Sequence, residues 1–194
     1  RAGQSDDSDA TPADDDHSAS NLQKRGSLTI VTGPSGSGKT TYCSDAVRSA
    51  LAAGLSVAGI LSVYDPPDGE RVRIVSVDLS TGVRQTLAEI IGMGTCEGPV
   101  AGRWHFSRCA LDWACEVLRS ATPCDLLVID ELGPLELRHG DGIIAALDVI
   151  DSGQYRDALV TVRPSALEIL HARWPHAAVV HLGLQERAVP WNPS

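Results

Sequence analysis

The stretch Gly33-Pro34-Ser35-Gly36-Ser37-Gly38-Lys39-Thr40 constrains this chain more than any other. It reads G-x-x-x-x-G-K-[ST], a Walker A element. The apolar run Leu28-Thr29-Ile30-Val31-Thr32 precedes it and a helical run starting near Lys39 follows. That strand–loop–helix setting makes the pattern a phosphate-binding loop rather than a glycine-rich turn. Glycines let the backbone curl until successive N–H groups point into one hollow. The following helix adds its unpaired N–H groups and the positive end of its dipole. Lys39 is then placed to put a point charge on the β- and γ-phosphates, and the Thr40 hydroxyl to ligate Mg²⁺. The whole stretch from Gly33 to Thr41 is the expected nucleotide-binding segment.

A second stretch answers the first. In Leu126-Leu127-Val128-Ile129-Asp130-Glu131, four apolar residues end in two acids. This is the form of a Walker B element on a central strand. Asp130 is expected to hold Mg²⁺ through a water, opposite Thr40. Glu131 is expected near the γ-phosphate, where a general base or water-orienting group is needed. Ligands of open α/β sheets gather outside the carboxyl ends of the strands, which is where both acids fall.

The spacing around these motifs predicts an alternating chain. Ala46, Val47, Ala50 and Leu51 repeat at helical spacing, with Gly54 as the stop. Val57 to Tyr64 reads as a buried strand. Pro66-Pro67-Asp68-Gly69 is a turn signal. Strand-like runs at Arg71–Leu79 and Val83–Leu87 have no room for a helix between them. They are expected as antiparallel neighbours at one side of the sheet, serving as an edge or as a lip over the nucleotide. The glycine-rich stretch Glu89–Gly102 reads as a loop, and Trp104-His105-Phe106 as a short extended piece. Ser107 is a candidate N-cap for a helix through Ser120, in which Cys109, Trp113 and Cys115 are expected to pack. Further on, Gly140–Ile150 reads as a helix with Ile143, Ile144, Leu147 and Ile150 on its face. Then come a strand at Ala158–Val162, a helix at Ser165–Arg173 and a last strand at Ala177–Leu182. The expectation is a three-layer α/β fold with a mostly parallel sheet covered on both faces and an antiparallel edge excursion.

The aspartate-rich segment of residues 1–25 has too few apolar side chains to offset its ordering entropy, and is expected to be a disordered tail. Residues 26–188 form the nucleotide-binding domain, and 189–194 an irregular end. The first residue is arginine rather than methionine, as in a piece of a longer chain. A formal net charge of −9 argues against nucleic-acid and anionic-membrane partners. The five cysteines are odd in number and form no C-x-x-C, which favours reduced thiols in cytoplasm over a disulfide framework or zinc site. No apolar run is long enough to span a bilayer, and no secretory signal is visible.

The motifs occur in a telling order. T-G-P-S-G-S-G-K-T-T is followed by G-I-L-S, then R-V-R-I-V-S-V-D-L, G-R-W-H-F and D-L-L-V-I-D-E-L-G-P-L-E-L. Over about Leu28 to Trp174 the chain resembles the thermostable nucleoside-triphosphatase family, which includes a human cancer-related member. The resemblance implies a RecA-like P-loop fold and Mg²⁺-dependent hydrolysis of ATP, GTP and other nucleoside triphosphates to diphosphates, with little discrimination among bases. It gives phosphate and Mg²⁺ binding to Gly33, Gly38, Lys39 and Thr40, Mg²⁺ to Asp130 and water activation to Glu131. One departure stands out. Where the family often has Thr and Glu after the second strand's glycine, this chain has Ser62-Val63-Tyr64-Asp65, leaving Asp65 as the nearby acid.

Hydrolysis also calls for a positive group to offset developing charge. Arg163, at the end of the Ala158–Val162 strand, is the best placed; Arg103 and Arg108 are weaker candidates. Three other readings share the loop. Asp130-Glu131-Leu132-Gly133 fits the D-x-x-G of GTPases, but no N-K-x-D guanine reader occurs. A phosphotransferase or molybdopterin-dinucleotide assembly factor would pass phosphate or nucleotide to an acceptor. A nucleotide-dependent switch would hydrolyse slowly and act through a partner.

Overall fold

The computed structural model describes residues 26–66, 70–183 and 190–192. The expected tail, most of the Pro66–Gly69 turn, the domain's end near residue 188 and half of the irregular C-terminal end lie outside the described residues.

Strand β1 (Ser27–Thr32) leads through the phosphate loop into helix α1 (Lys39–Ala52). Strands β2 (Val57–Asp65), β3 (Arg73–Asp78) and β4 (Arg84–Ile90) follow, then the two-residue β5 (Val100–Ala101) and β6 (Trp104–Phe106). Helix α2 (Arg108–Arg119) leads to β7 (Cys124–Leu132). After a π-helical turn at Leu135–His139 come α3 (Ala145–Ser152), β8 (Tyr155–Val162), α4 (Pro164–Arg173) and β9 (Ala178–His181). The nine strands of the described residues form one sheet in the order β5-β6-β4-β3-β2-β7-β8-β1-β9. The block β2-β7-β8-β1-β9 is parallel throughout, and β3 to β6 continue it antiparallel.

Strands β1, β7 and β8 and the first half of β2 are buried on both faces, as their near-continuous apolar runs require. Alternation along β7 sends Leu126 and Val128 toward α1, where they meet Cys43, Ala46 and Ala50. Leu127 and Ile129 point the other way, into a larger cluster with Leu111 and Leu118 of α2, Ala146 and Ile150 of α3, and Leu170 of α4. The three-layer α/β architecture is therefore as the sequence implies. The strands β1 and β2 that flank α1 are not neighbours; β8 and β7 lie between them. Asp130 and Glu131 thus come up two strands away from the phosphate loop, on its open side.

Three local expectations need correction. Helix α3 starts at Ala145 rather than Gly140. Gly140 and Gly142 have φ of 61° and 76°, outside the right-handed helical region, so the apolar spacing from Ile143 does not belong to one helix. Ile144 is exposed, and Ala145, Ala146, Val149 and Ile150 form the packed face. The stretch Glu89–Gly102 is not all loop, because β4 runs on to Ile90 and Val100–Ala101 pairs with β6. The ladder supplies a backbone reason: Ala88, Glu89 and Ile90 lie opposite Phe106, His105 and Trp104. Finally, Cys109 is exposed instead of packed, while Cys115 is buried against Gly142. The Ser107 cap holds: its hydroxyl accepts from the Ala110 N–H at 3.3 Å.

Candidate active site

The phosphate loop closes on itself through its lysine. The Lys39 ammonium, 6 % exposed, donates to the Gly33 carbonyl at 2.8 Å and the Pro34 carbonyl at 3.2 Å. Gly36 and Gly38 have φ of 80° and 92°, and Gly33 has no room for a side chain: a Cβ there would meet the Leu182 carbonyl oxygen at 2.1 Å. The Ser37 hydroxyl oxygen is buried, with no hydrogen-bond partner among the described residues. Such a donor inside a ring of backbone amides suits an oxygen-rich anion. Pro34, Ser35 and Gly36 are exposed along the rim. Thr41 is exposed on α1 and does not line the cavity beside the loop.

Asp130 meets the loop directly. The Thr40 hydroxyl donates to Asp130 Oδ2 at 2.8 Å. Two groups that sequence reasoning did not assign complete its shell. The Thr161 hydroxyl on β8 donates to Oδ1 at 2.6 Å, and the Ser62 N–H on β2 approaches Oδ2 at 3.3 Å. The Ser62 hydroxyl also donates to the Asp130 carbonyl. Burial pushes the Asp130 carboxyl up, and the bonds from Thr161, Thr40 and Ser62 pull it back toward the ionised form. Helix α1 and strands β2 and β8 thus surround one buried carboxylate, with each carboxylate oxygen pinned.

Glu131 is differently placed. Its carboxylate is about a third exposed and lies between two cations, with Arg163 Nε donating to Oε1 at 2.8 Å and Lys39 Nζ 3.9 Å from Oε2. The Asp130–Glu131 peptide is cis, and the β7 register against β8 shifts between Ile129 and Leu132. Arg163 lies between the end of β8 and Pro164 at the start of α4, with its guanidinium on Glu131. Arg108 does not reach it; it forms a two-pronged pair with Asp141 at 2.6 and 3.0 Å. Arg103 lies across the cavity, and Asp65 is engaged by Arg73 at 3.0 Å, outside the cavity lining.

A buried glutamate in this region was not assigned from sequence. Glu136 accepts from the Gly133 and Ile143 N–H groups, each at 2.9 Å, and ties the end of β7 to the segment before α3. Gly142 must be glycine for this, since a Cβ there would sit 2.2 Å from Glu136 Oε1 and the residue has φ of 76°. The available signal was an acid between Leu135 and Leu137 directly after the Walker B element.

The donor set is a hydroxyl, two carboxylates, a lysine and a curled loop of amides. It gathers at the carboxyl ends of parallel strands with β8 between the loop strand β1 and the acid-bearing β7. That arrangement defines a P-loop nucleotide-binding protein of the RecA-like kind. Comparison with known proteins carries this further. A family model described as NTPase matches residues 28–187. The chain is 31% identical over 133 residues to the nucleoside-triphosphatase THEP1 of Caldivirga maquilingensis, covering 69% of this chain and 72% of that protein. It is 33% identical over 167 residues to the protein of the same name from Hyperthermus butylicus, covering 84% and 86%. A solved human cancer-related nucleoside triphosphatase superposes with a TM-score of 0.61 at 24% identity, over 80% of this chain and 88% of that one, and shows the same fold. The chain belongs to this nucleoside-triphosphatase family. Among the described residues, no helix is long and apolar enough to cross a membrane.

Proposed function

We propose that this protein hydrolyses nucleoside triphosphates to diphosphate and phosphate, with Mg²⁺ and with little preference among bases. The observation that carries the reading is the convergence at the loop. Thr40 is bonded to Asp130 at 2.8 Å, while Lys39 and Glu131 face each other at 3.9 Å. The relatives' name supports it too, since it specifies a nucleoside triphosphate and no particular base. The net charge of −9 favours a small substrate drawn in by a local cationic pocket over a nucleic acid. Five cysteines free of disulfides suit a reducing, cytoplasmic setting.

The residues present fit a Mg²⁺ arriving with the substrate. They offer hard oxygen donors from Thr40 and Asp130, and leave the remaining positions to water and phosphate. Such an ion would offset charge on the β- and γ-oxygens. The loop amides, the Ser37 hydroxyl and the start of α1 hold the phosphate chain, and Lys39 turns from its own carbonyls to the β- and γ-oxygens. Glu131 accepts the proton of a water whose oxygen attacks the γ-phosphorus; the bond to the bridging oxygen breaks and its electrons leave on the diphosphate. Arg163 orients Glu131 and adds positive charge beside the transferring group.

The test is phosphate release from ATP, GTP, CTP and UTP with Mg²⁺, comparing wild type with Glu131→Gln and Arg163→Ala. All four should turn over. Glu131→Gln should bind nucleotide yet lose roughly 10²-fold or more in kcat. Arg163→Ala should lose less. Full activity in Glu131→Gln would remove Glu131 from the mechanism, and turnover of a single base would overturn the broad specificity.

A further inference from the structure

The site is one cavity of about 660 Å³ that starts at Ser35 and Thr40 of the phosphate loop, passes Asp130, Glu131 and Arg163, and continues to Tyr64, Arg71, Arg103 and Trp104. The end at Ser35, Thr40, Asp130 and Glu131 serves the terminal phosphate, its ion and the attacking water, whereas the end lined by Tyr64, Arg71, Arg103 and Trp104 has no role in hydrolysis. The size falls in the range of small-molecule sites. The cavity follows the sheet from β7 across β2, β3 and β4 to β6, so its direction is opposite to β1. With the γ-phosphate at Asp130 and Glu131, the nucleoside end of the substrate points the other way.

The walls are chemically specific. The rings of Tyr64 and Trp104 lie roughly parallel, with centroids 6.1 Å apart and planes inclined by 28°. Arg71 covers the Tyr64 ring at 4.2 Å, and Arg103 covers Trp104 at 4.9 Å. Arg103 also donates to the Arg71 carbonyl at 3.0 Å, which fixes the two arginines relative to each other. Among the described residues, neither has a carboxylate within ion-pair distance. In a chain of net charge −9, two such guanidiniums on the wall of one cavity are selective for an anion. Ile74 and Leu87 supply an apolar floor.

We propose that this cavity is a second-ligand site, for a planar aromatic small molecule bearing a carboxylate or phosphate, bound beside the γ-phosphate at the same time as the nucleotide. This rests on the nucleotide orientation of the hydrolytic reading. The ring system lies against the Trp104–Tyr64 wall, and Arg71 and Arg103 take the anion. An occupant here lies against Glu131 and displaces water from its open side. It therefore acts on turnover rather than on nucleotide affinity.

The probes are flavin mononucleotide and its uncharged counterpart riboflavin, followed by flavin fluorescence quenching, with pterin-6-carboxylate and pterin as a second pair. The anions should bind, and each neutral partner should bind about tenfold more weakly, the loss expected of a charge-assisted contact. Arg71→Gln and Arg103→Gln should remove that preference without changing riboflavin or pterin affinity, a pattern that general unfolding would not produce. A non-hydrolysable Mg·ATP analogue should leave flavin mononucleotide bound, and the flavin should lower kcat for phosphate release without raising KM. Displacement by the analogue would identify the cavity as the base pocket and overturn the proposal. So would loss of flavin mononucleotide binding in Lys39→Ala, which would put the probe in the phosphate loop. Failure of both anions to bind at millimolar concentration would overturn it as well. Nucleotide affinity and basal phosphate release, measured without probe, report on the hydrolytic reading separately.

Discussion

The sheet has two halves that meet at β2 and solve different problems. The parallel half places its side chains in apolar layers on both faces: Leu126, Leu127, Val128 and Ile129 of β7 are all within 1 % of full burial. The antiparallel half is covered mainly on one side. Arg84, Gln85 and Thr86 of β4 are exposed, as are Val83, Ile91 and Val100 nearby. The difference teaches where each kind of chemistry can be kept. Phosphate chemistry needs fixed donors, and it sits where two buried strand ends and a helix start leave almost no freedom. The antiparallel half tolerates variation because fewer of its side chains are locked, and it contributes the aromatic and arginine wall of the cavity. In the proposed function the parallel half holds the triphosphate, and in the further proposal the antiparallel half binds what lies beside it.

The largest expected effect is at the rigid end. Lys39→Ala should abolish turnover and sharply weaken nucleotide binding, because its buried ammonium lies inside the loop, on the Gly33 and Pro34 carbonyls. Nucleotide titration by calorimetry checks it, and near-normal affinity would mean that the loop amides alone hold the phosphates. The fold contrast is tested by one substitution made twice. Val128→Ala, at a fully buried site in β7, should cost about 2–3 kcal/mol, combining lost burial with a cavity. Val75→Ala in β3, which is 9 % exposed, should cost about 1 kcal/mol, because its looser surroundings can close in. Equal costs in denaturant titration would show that the antiparallel half is as tightly packed as the core.

Legibility in the sequence follows the same division. The phosphate loop and the Asp130–Glu131 pair are local patterns, with all their chemistry inside ten residues. The strands of the parallel half announce themselves as apolar runs. What the sequence hid depends on distant partners. Thr161 and Ser62 complete the shell of Asp130 from strands 31 and 68 residues away. The cavity wall joins Tyr64 of β2, Arg71 of the connection to β3 and Trp104 of β6, so no short window of sequence contains it. Glu136 was visible only as one acid in D-E-L-G-P-L-E-L. Its function as a tie depends on Gly142 being left-handed, the same feature that disqualified the expected helix at Gly140.

That tie carries an intermediate prediction. Glu136→Ala leaves the Gly133 and Ile143 N–H groups without their acceptor, at a cost of about 1–3 kcal/mol. Burial raises the Glu136 carboxyl above the usual range, so the folded state keeps a proton that the unfolded state has already released. Its contribution should therefore fall as pH rises through that window. Glu136→Gln should flatten this part of the stability profile, and an unchanged profile would show that another group titrates there.

The smallest effect belongs to the neighbouring exposed pair. Asp141 is held down to about 2 by the two bonds from Arg108, helped by the Gly142 N–H. A carboxyl lowered on folding contributes stability that is fully present above its unfolded value near 3.8 and is lost as pH falls toward 2. Arg108→Ala should lower the melting temperature modestly at neutral pH, because both side chains are partly solvated and water screens the pair. The gap between variant and wild type should close as the solution is acidified. Because Asp141 precedes the Gly142–Ile143 segment that Glu136 holds, the two contacts fasten the same corner. A double variant losing clearly less than the sum of its parts would show that the cavity's rear wall is one cooperative unit rather than two independent ties.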